Sequence, residues 1–147
     1  MNAPNNAAPA KIFTPVITAL VLIFALSSCA TKAPFLSSPV VPAAEGMVTV
    51  KEDKNDNYVI NIQIQNLAKP ENLHPPRNVY VVWMESDNNF AKNIGQINSS
   101  TGFLSKKLKA GFQTVSAVKP TQIYITAENY AGIQSPEGEI VLSTRNF

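Results

Sequence analysis

Beyond residue 46 the chain alternates apolar and polar residues at every second position, run after run, and nowhere shows the three-and-four spacing of an amphipathic helix. Tyr58, Ile60, Ile62 and Ile64 share one face, and Val59, Asn61, Gln63 and Gln65 the other. That pattern predicts a strand over 58–66 with one side on a core and one side in water. Val79–Glu85 is apolar on both faces, with Val79, Val81 and Trp83 on one and Tyr80, Val82 and Met84 on the other. Such a run predicts a central strand covered at least in part on both sides. Residues 121–128 place Ile123, Ile125 and Ala127 inward and Tyr124, Thr126 and Glu128 outward, on a wetter face. Trp83, Ile62, Val81 and Ile125 are therefore expected in the core.

Further strands are predicted over 47–51, 90–98, 103–108, 112–118 and 139–144, with a bulge at Gly95 and a hairpin closed by Ala110-Gly111. Proline, glycine and amide residues predict long loops over 67–78 and 129–138, and a charged hairpin turn over 52–57. Seven to eight short strands in about 100 residues predict an all-β fold, an immunoglobulin- or fibronectin-like antiparallel β-sandwich. A small closed barrel is the structural alternative.

The first 45 residues follow a different pattern. Residues 1–10 are rich in Asn, Ala and Pro, Lys11 is the only positive side chain of this amino-terminal region, and 12–26 is apolar except for Thr14, Pro15 and Thr18. This apolar run suits the core of a signal peptide and falls short of the roughly 20 residues that span a bilayer as a helix. It ends in Leu26-Ser27-Ser28-Cys29, and Cys29 is the single cysteine of the 147 residues. The stretch resembles the lipobox of bacterial lipoproteins. The resemblance implies that the Cys29 thiol accepts a diacylglyceryl group and that the leader is cut just before it. Acyl chains such as palmitate then anchor the mature protein in the membrane of the cell envelope. Ser28 departs from the Gly or Ala usual before the cysteine. Ala30 stands where an inner-membrane retention signal would carry Asp, so in a cell with two membranes the outer one is the expected destination.

Residues 1–28 are thus expected to be a signal peptide, 29–45 the lipidated cysteine with a flexible tether, and 46–147 the sandwich domain. Pro34, Pro39 and Pro42 make the tether extended, and Phe35-Leu36 and Val40-Val41 are the pairs in it that could dock on the domain.

A formal net charge of +2 gives no field of the kind nucleic acid requires, and no nucleic-acid partner is expected. One cysteine allows neither an internal disulfide nor a cysteine-rich metal site. His74, in Leu73-His74-Pro75-Pro76, has no carboxylate or thiol beside it and reads as loop surface. Glu52, Asp53 and Asp56 lack the spacing and the turn glycine of a calcium loop. Glu137 and Glu139 flank Gly138, and acid–base work would require such a pair to oppose each other across a cleft. Lys106, Lys107 and Lys109 read as a solvated strand edge, and Asn98-Ser99-Ser100 as a chance match to the glycosylation pattern. Tyr124 and Tyr130 are the better candidates for surface aromatics. No catalytic residue, cofactor or metal ligand is expected.

Residues 47–144 carry a second resemblance. Its elements are Asn66-Leu67-Ala68 with prolines following, Val79-Tyr80-Val81-Val82-Trp83-Met84, and Asn93-Ile94-Gly95-Gln96-Ile97. Ile123-Tyr124-Ile125-Thr126-Ala127-Glu128 then leads through Pro136 to Ile140-Val141-Leu142. The whole is similar to the extracytoplasmic C-terminal domain of anti-sigma-K factors. The resemblance implies a sandwich fold and a sensor-like outer domain. This sequence shows no sigma-binding helical module and no spanning helix, so a direct anti-sigma role is not implied. The expected function is a lipid-anchored envelope protein with a non-enzymatic binding or sensing module. Its expected partners are membrane lipid through Cys29 and an envelope protein, peptide or glycan. A purely structural envelope lipoprotein, and a small hydrolase or carbohydrate-active enzyme with a cryptic site, are the alternatives.

Overall fold

A computed structural model describes residues 30–87, 90–97, 100–101 and 108–147. The lipobox with Cys29, the residues Asn98 and Ser99, and the segment 102–107 with Lys106 and Lys107 lie outside them. The described residues form nine strands: β1 (Ala30–Pro34), β2 (Glu45–Glu52), β3 (Tyr58–Gln65), β4 (Val79–Glu85), β5 (Lys92–Ile97), β6 (Ser100–Thr101), β7 (Leu108–Ser116), β8 (Gln122–Glu128) and β9 (Glu139–Ser143). A short 3-10 turn, Pro70–Asn72, sits between β3 and β4.

All pairings are antiparallel, and they make two sheets, one in the order β1-β2-β3-β7-β6 and one in the order β5-β4-β8-β9. In immunoglobulin lettering β2, β3, β7 and β6 take the places of A, B, E and D, and β4, β8 and β9 those of C, F and G. β1 is added outside A and β5 outside C. The fold is an all-β sandwich of this type.

The alternation of β3 explains its place. Ile60, Ile62 and Ile64 are buried in one cluster with Val48 and Val50 of β2, Tyr80, Val82 and Met84 of β4, and Ile123, Ile125 and Ala127 of β8. Each fully buried isoleucine is worth roughly 1.5–3 kcal/mol of transfer free energy. Gly95 sits at the expected bulge. The register of β4 against β5 shifts between Val82 and Trp83, so that Val82 pairs with Gly95 and Trp83 with Asn93. Gly95 has φ 140°, and a Cβ there would lie 2.7 Å from the Phe112 ring. Glycine thus lets the β5 edge of one sheet close on β7 of the other.

The expected flexible tether is corrected. Residues 30–34 pair along β2, from Ala30 with Lys51 to Pro34 with Met47. The chain then crosses to the other sheet: Phe35 bridges Thr144, and the Leu36 amide donates to the Ser143 carbonyl at 2.8 Å. Ala33, Val41 and Ala44 are buried in the main core, and buried Ser38 accepts from the Val41 amide at 2.8 Å. An edge strand needs only one inward apolar side chain in this stretch, and its one proline, Pro34, stands at the end of the ladder.

The hairpin expected at Ala110-Gly111 is likewise corrected. Both residues lie within β7, paired with Ile64 and Gln63. Ala110 is buried and Gly111 faces open space, so two small residues here fill strand positions and turn nothing. Ser100 and Thr101, which fall between the predicted strands 90–98 and 103–108, form the short strand β6.

Tyr80 is fully buried and donates its hydroxyl to the Ala68 carbonyl at 2.9 Å, tying β4 to the loop after β3. Burial, and secondarily Glu71, push its phenol up from 10.0 to about 12. The folded value lies above the unfolded one. The contribution is therefore complete below the ordinary phenol range and is lost as pH rises through about 12. In an ultraviolet titration, one of the four tyrosines should ionise near pH 12, together with loss of near-ultraviolet circular dichroism. Tyr80→Phe should remove that transition and cost about 1 kcal/mol at neutral pH. A late transition that persists in the variant would assign it elsewhere.

Candidate functional site

The outward residues of β8 are not wet. Tyr124, Thr126 and Glu128 are all buried, and Tyr124 is corrected from surface aromatic to core. Trp83 and Tyr124 are cross-strand partners on the outer face of the second sheet, their rings stacked with centroids 6.4 Å apart and planes at 19°. They form a second, smaller core with Val79 and Val81, against which Ala91, Ala131 and Ile133 lie. All four residues expected in the core are buried. Ile62 and Ile125 are in the main core, and Val81 and Trp83 are in this outer one.

The cover over Trp83 is the loop 129–138, which two side chains hold down. Asn93 of β5 donates its amide to the carbonyls of Ala131 at 2.8 Å and Ile133 at 2.9 Å. On the other side, Glu128 Oε1 accepts from the Gly138 amide at 2.9 Å, the Glu137 amide at 3.2 Å and the Thr126 hydroxyl at 2.6 Å. Thr126 in turn accepts the indole N–H of Trp83 at 2.8 Å. A Cβ on Gly138 would overlap the Ala127 carbonyl oxygen, so glycine is what lets the loop return this close to β8.

The loop between β3 and β4 joins this construction. The Asn78 amide donates to the Glu128 carbonyl at 2.9 Å, and its side chain to the Asn129 carbonyl at 3.1 Å. The two long loops therefore share one end of the sandwich. This distal end exposes His74, Pro75 and Pro76, and Tyr130 with 74 % of its surface free. Arg77, Glu128, Tyr130, Ile133 and Glu137 border a cleft of about 150 Å³ there. That volume is below the range of small-molecule sites, so the cleft takes a side-chain tip or a few waters. The larger groove, about 380 Å³, runs beside β1 and is bordered by Lys32, Pro34, Leu36, Arg145 and Phe147.

The opposite, proximal end holds the start of β1 and the 53–57 turn. Asp53 caps that turn, its Oδ1 accepting from the amides of Asn55 at 2.7 Å and Asn57 at 3.0 Å. The amides of Asn57 and Asn55 hold its carboxyl below the usual range. The acidic residues of this turn serve its geometry, and Asp56 supplies its left-handed position at φ 60°.

Among the described residues no group of three or more His, Cys, Asp and Glu is disposed to hold a metal ion. Glu139 begins β9, while Glu137 shares its cleft with Glu128 and not with Glu139. Lys109 is exposed on β7. No helix among the described residues is long and apolar enough to cross a membrane. The Glu128 network escaped sequence reading because alternation tells which residues share a face, and not what covers it. Three polar or amphipathic residues at every second position ahead of a Gly-Pro loop were the available signal. Comparison with protein-family models, with curated proteins and with solved structures found no significant match.

Proposed function

We propose that the protein is a lipid-anchored component of the bacterial cell envelope whose sandwich is a binding or sensing module without catalytic chemistry. The observation that carries this reading is the division of labour between the two ends. The strand that follows Cys29 begins at the proximal end, and the two long loops, braced by Glu128, Asn78 and Asn93, meet at the distal end. A braced loop surface with exposed His74, Pro75, Pro76 and Tyr130 suits recognition of an envelope protein, peptide or glycan. The carboxyl at its centre supports this role, since Glu128 Oε1 is committed to holding the loop.

Cys29→Ser is the test of the anchor. The variant should leave the membrane fraction and accumulate as precursor or soluble protein, because the acyl chains supply its stable anchoring. Unchanged fractionation with membranes sinks the lipoprotein reading. For the module, a photo-crosslinker at Tyr130 in intact cells should capture one dominant partner. Capture of lipid or wall material alone favours a structural spacer instead.

A further inference from the structure

The lipidated cysteine that this reading requires is joined by one peptide bond to Ala30, and Ala30 is already the first residue of a paired strand. Their Cα atoms are only about 3.8 Å apart. The acyl chains therefore emerge at the proximal end itself, with no tether to hold the domain away from them.

Ala30, Lys51, Val59 and Val115 form one row across the outer face of the first sheet, each paired with the next. With strands about 4.8 Å apart, Val115 lies about 14 Å from Ala30 along that row. Val115 is 57 % exposed. The connection from β7 to β8 follows at once and carries Val118, 52 % exposed. The β4–β5 connection reaches the same end, because Glu85 pairs with Gln122 and accepts from the Thr121 amide at 2.8 Å. That connection carries Phe90, 81 % exposed and the most exposed large apolar residue among the described ones. Three bare apolar side chains thus lie at the same end of the sandwich as the point where the lipid would leave the chain.

The charges around them are mixed in sign: Lys51, Lys54, Lys92 and Lys119 stand among Glu52, Asp53, Asp56, Glu85 and Asp87. Such a surface has no net preference for anionic lipid, and its attraction to a bilayer is apolar.

We propose that the proximal end of the sandwich rests on the lipid layer that Cys29 anchors, with Phe90 and Val118 inserted among the headgroups. The inference rests on the lipoprotein reading and adds to it a fixed orientation. The distal loops face away from the membrane, and the row from Ala30 to Val115 lies at its surface.

The test uses the full lipidated protein in vesicles of phosphatidylethanolamine and phosphatidylglycerol, and again in phosphatidylcholine. Lipidation consumes the native thiol, so Phe90→Cys, Val118→Cys and Tyr130→Cys each supply one labelling site for a polarity-sensitive fluorophore. All three positions are exposed, and substitution there leaves the core untouched. Probes at 90 and 118 should shift to the blue and lose iodide quenching in both kinds of vesicle, while the probe at 130 stays quenched. Probes at 90 and 118 as accessible to iodide in vesicles as in soluble Cys29→Ser protein overturn the proposal, as does shielding of the probe at 130. Mass spectrometry of the amino-terminal peptide separates the two claims. A diacylglyceryl group on Cys29 with water-exposed probes overturns the docking alone, and an unmodified Cys29 overturns the lipoprotein reading with it.

Discussion

Trp83→Ala is expected to lower the unfolding free energy by about 3–5 kcal/mol. The indole is fully buried, stacks on Tyr124 and donates to Thr126. Truncation leaves a cavity under the 129–138 loop and deprives the Thr126 hydroxyl of its donor. A domain of ordinary stability has only about 5–15 kcal/mol in hand, so the variant should be largely unfolded well below the wild-type midpoint. Equilibrium urea unfolding followed by circular dichroism measures this, since the mutation removes the only tryptophan and its fluorescence. Trp83→Phe keeps most of the volume and loses the N–H, so it should fall between the two. A Trp83→Ala protein that unfolds at the wild-type urea concentration would refute the outer core as a source of stability.

Glu128→Ala should cost about 2–3 kcal/mol, with a different distribution. The carboxyl oxygen accepts from two loop amides and one hydroxyl, and its removal leaves three donors without their partner. The amides of Glu137 and Gly138 should lose most of their hydrogen-exchange protection, while the strands of the main core keep theirs. Glu128→Gln retains an acceptor at Oε1 and should cost less. If the loop amides exchange no faster in the alanine variant, Asn93 alone holds the loop. Because the indole, Thr126 and Glu128 form one chain of hydrogen bonds, the two substitutions should be non-additive in a double-mutant cycle.

The inner surfaces of the sandwich were legible in the sequence because they are made by regular alternation. Tyr58 to Gln65 announces β3, and a run apolar on both faces announces that β4 is covered twice. The second cover was not legible. It is a loop in which Tyr130 and Ile133 stand among small, polar and proline residues, and only the folded chain shows that Asn93 and Glu128 draw it over Trp83. β1 was missed for a related reason. Ala30–Pro34 has one buried side chain, Ala33, and an edge strand with so little to bury looks like a spacer. Ala110-Gly111 misled in the opposite sense. Small residues favour turns when nothing pairs with them, and here β3 does. The distal end depends on loops more than 50 residues apart, joined at Asn78 and Asn129, which no local pattern encodes.

The position of β1 also decides how the domain bears a pull. If the chain is anchored at Cys29 and held by a partner on the distal loops, as proposed, the tension between them would enter at Ala30 and run along the strand axis. Antiparallel ladder bonds lie perpendicular to that axis, so the pairs from Ala30–Lys51 to Pro34–Met47 are loaded together in shear. The crossing at Phe35 and Leu36 passes the load on to β9 and the second sheet. The edge strand is thereby a strap, and it releases the domain only when the whole ladder gives way as one unit.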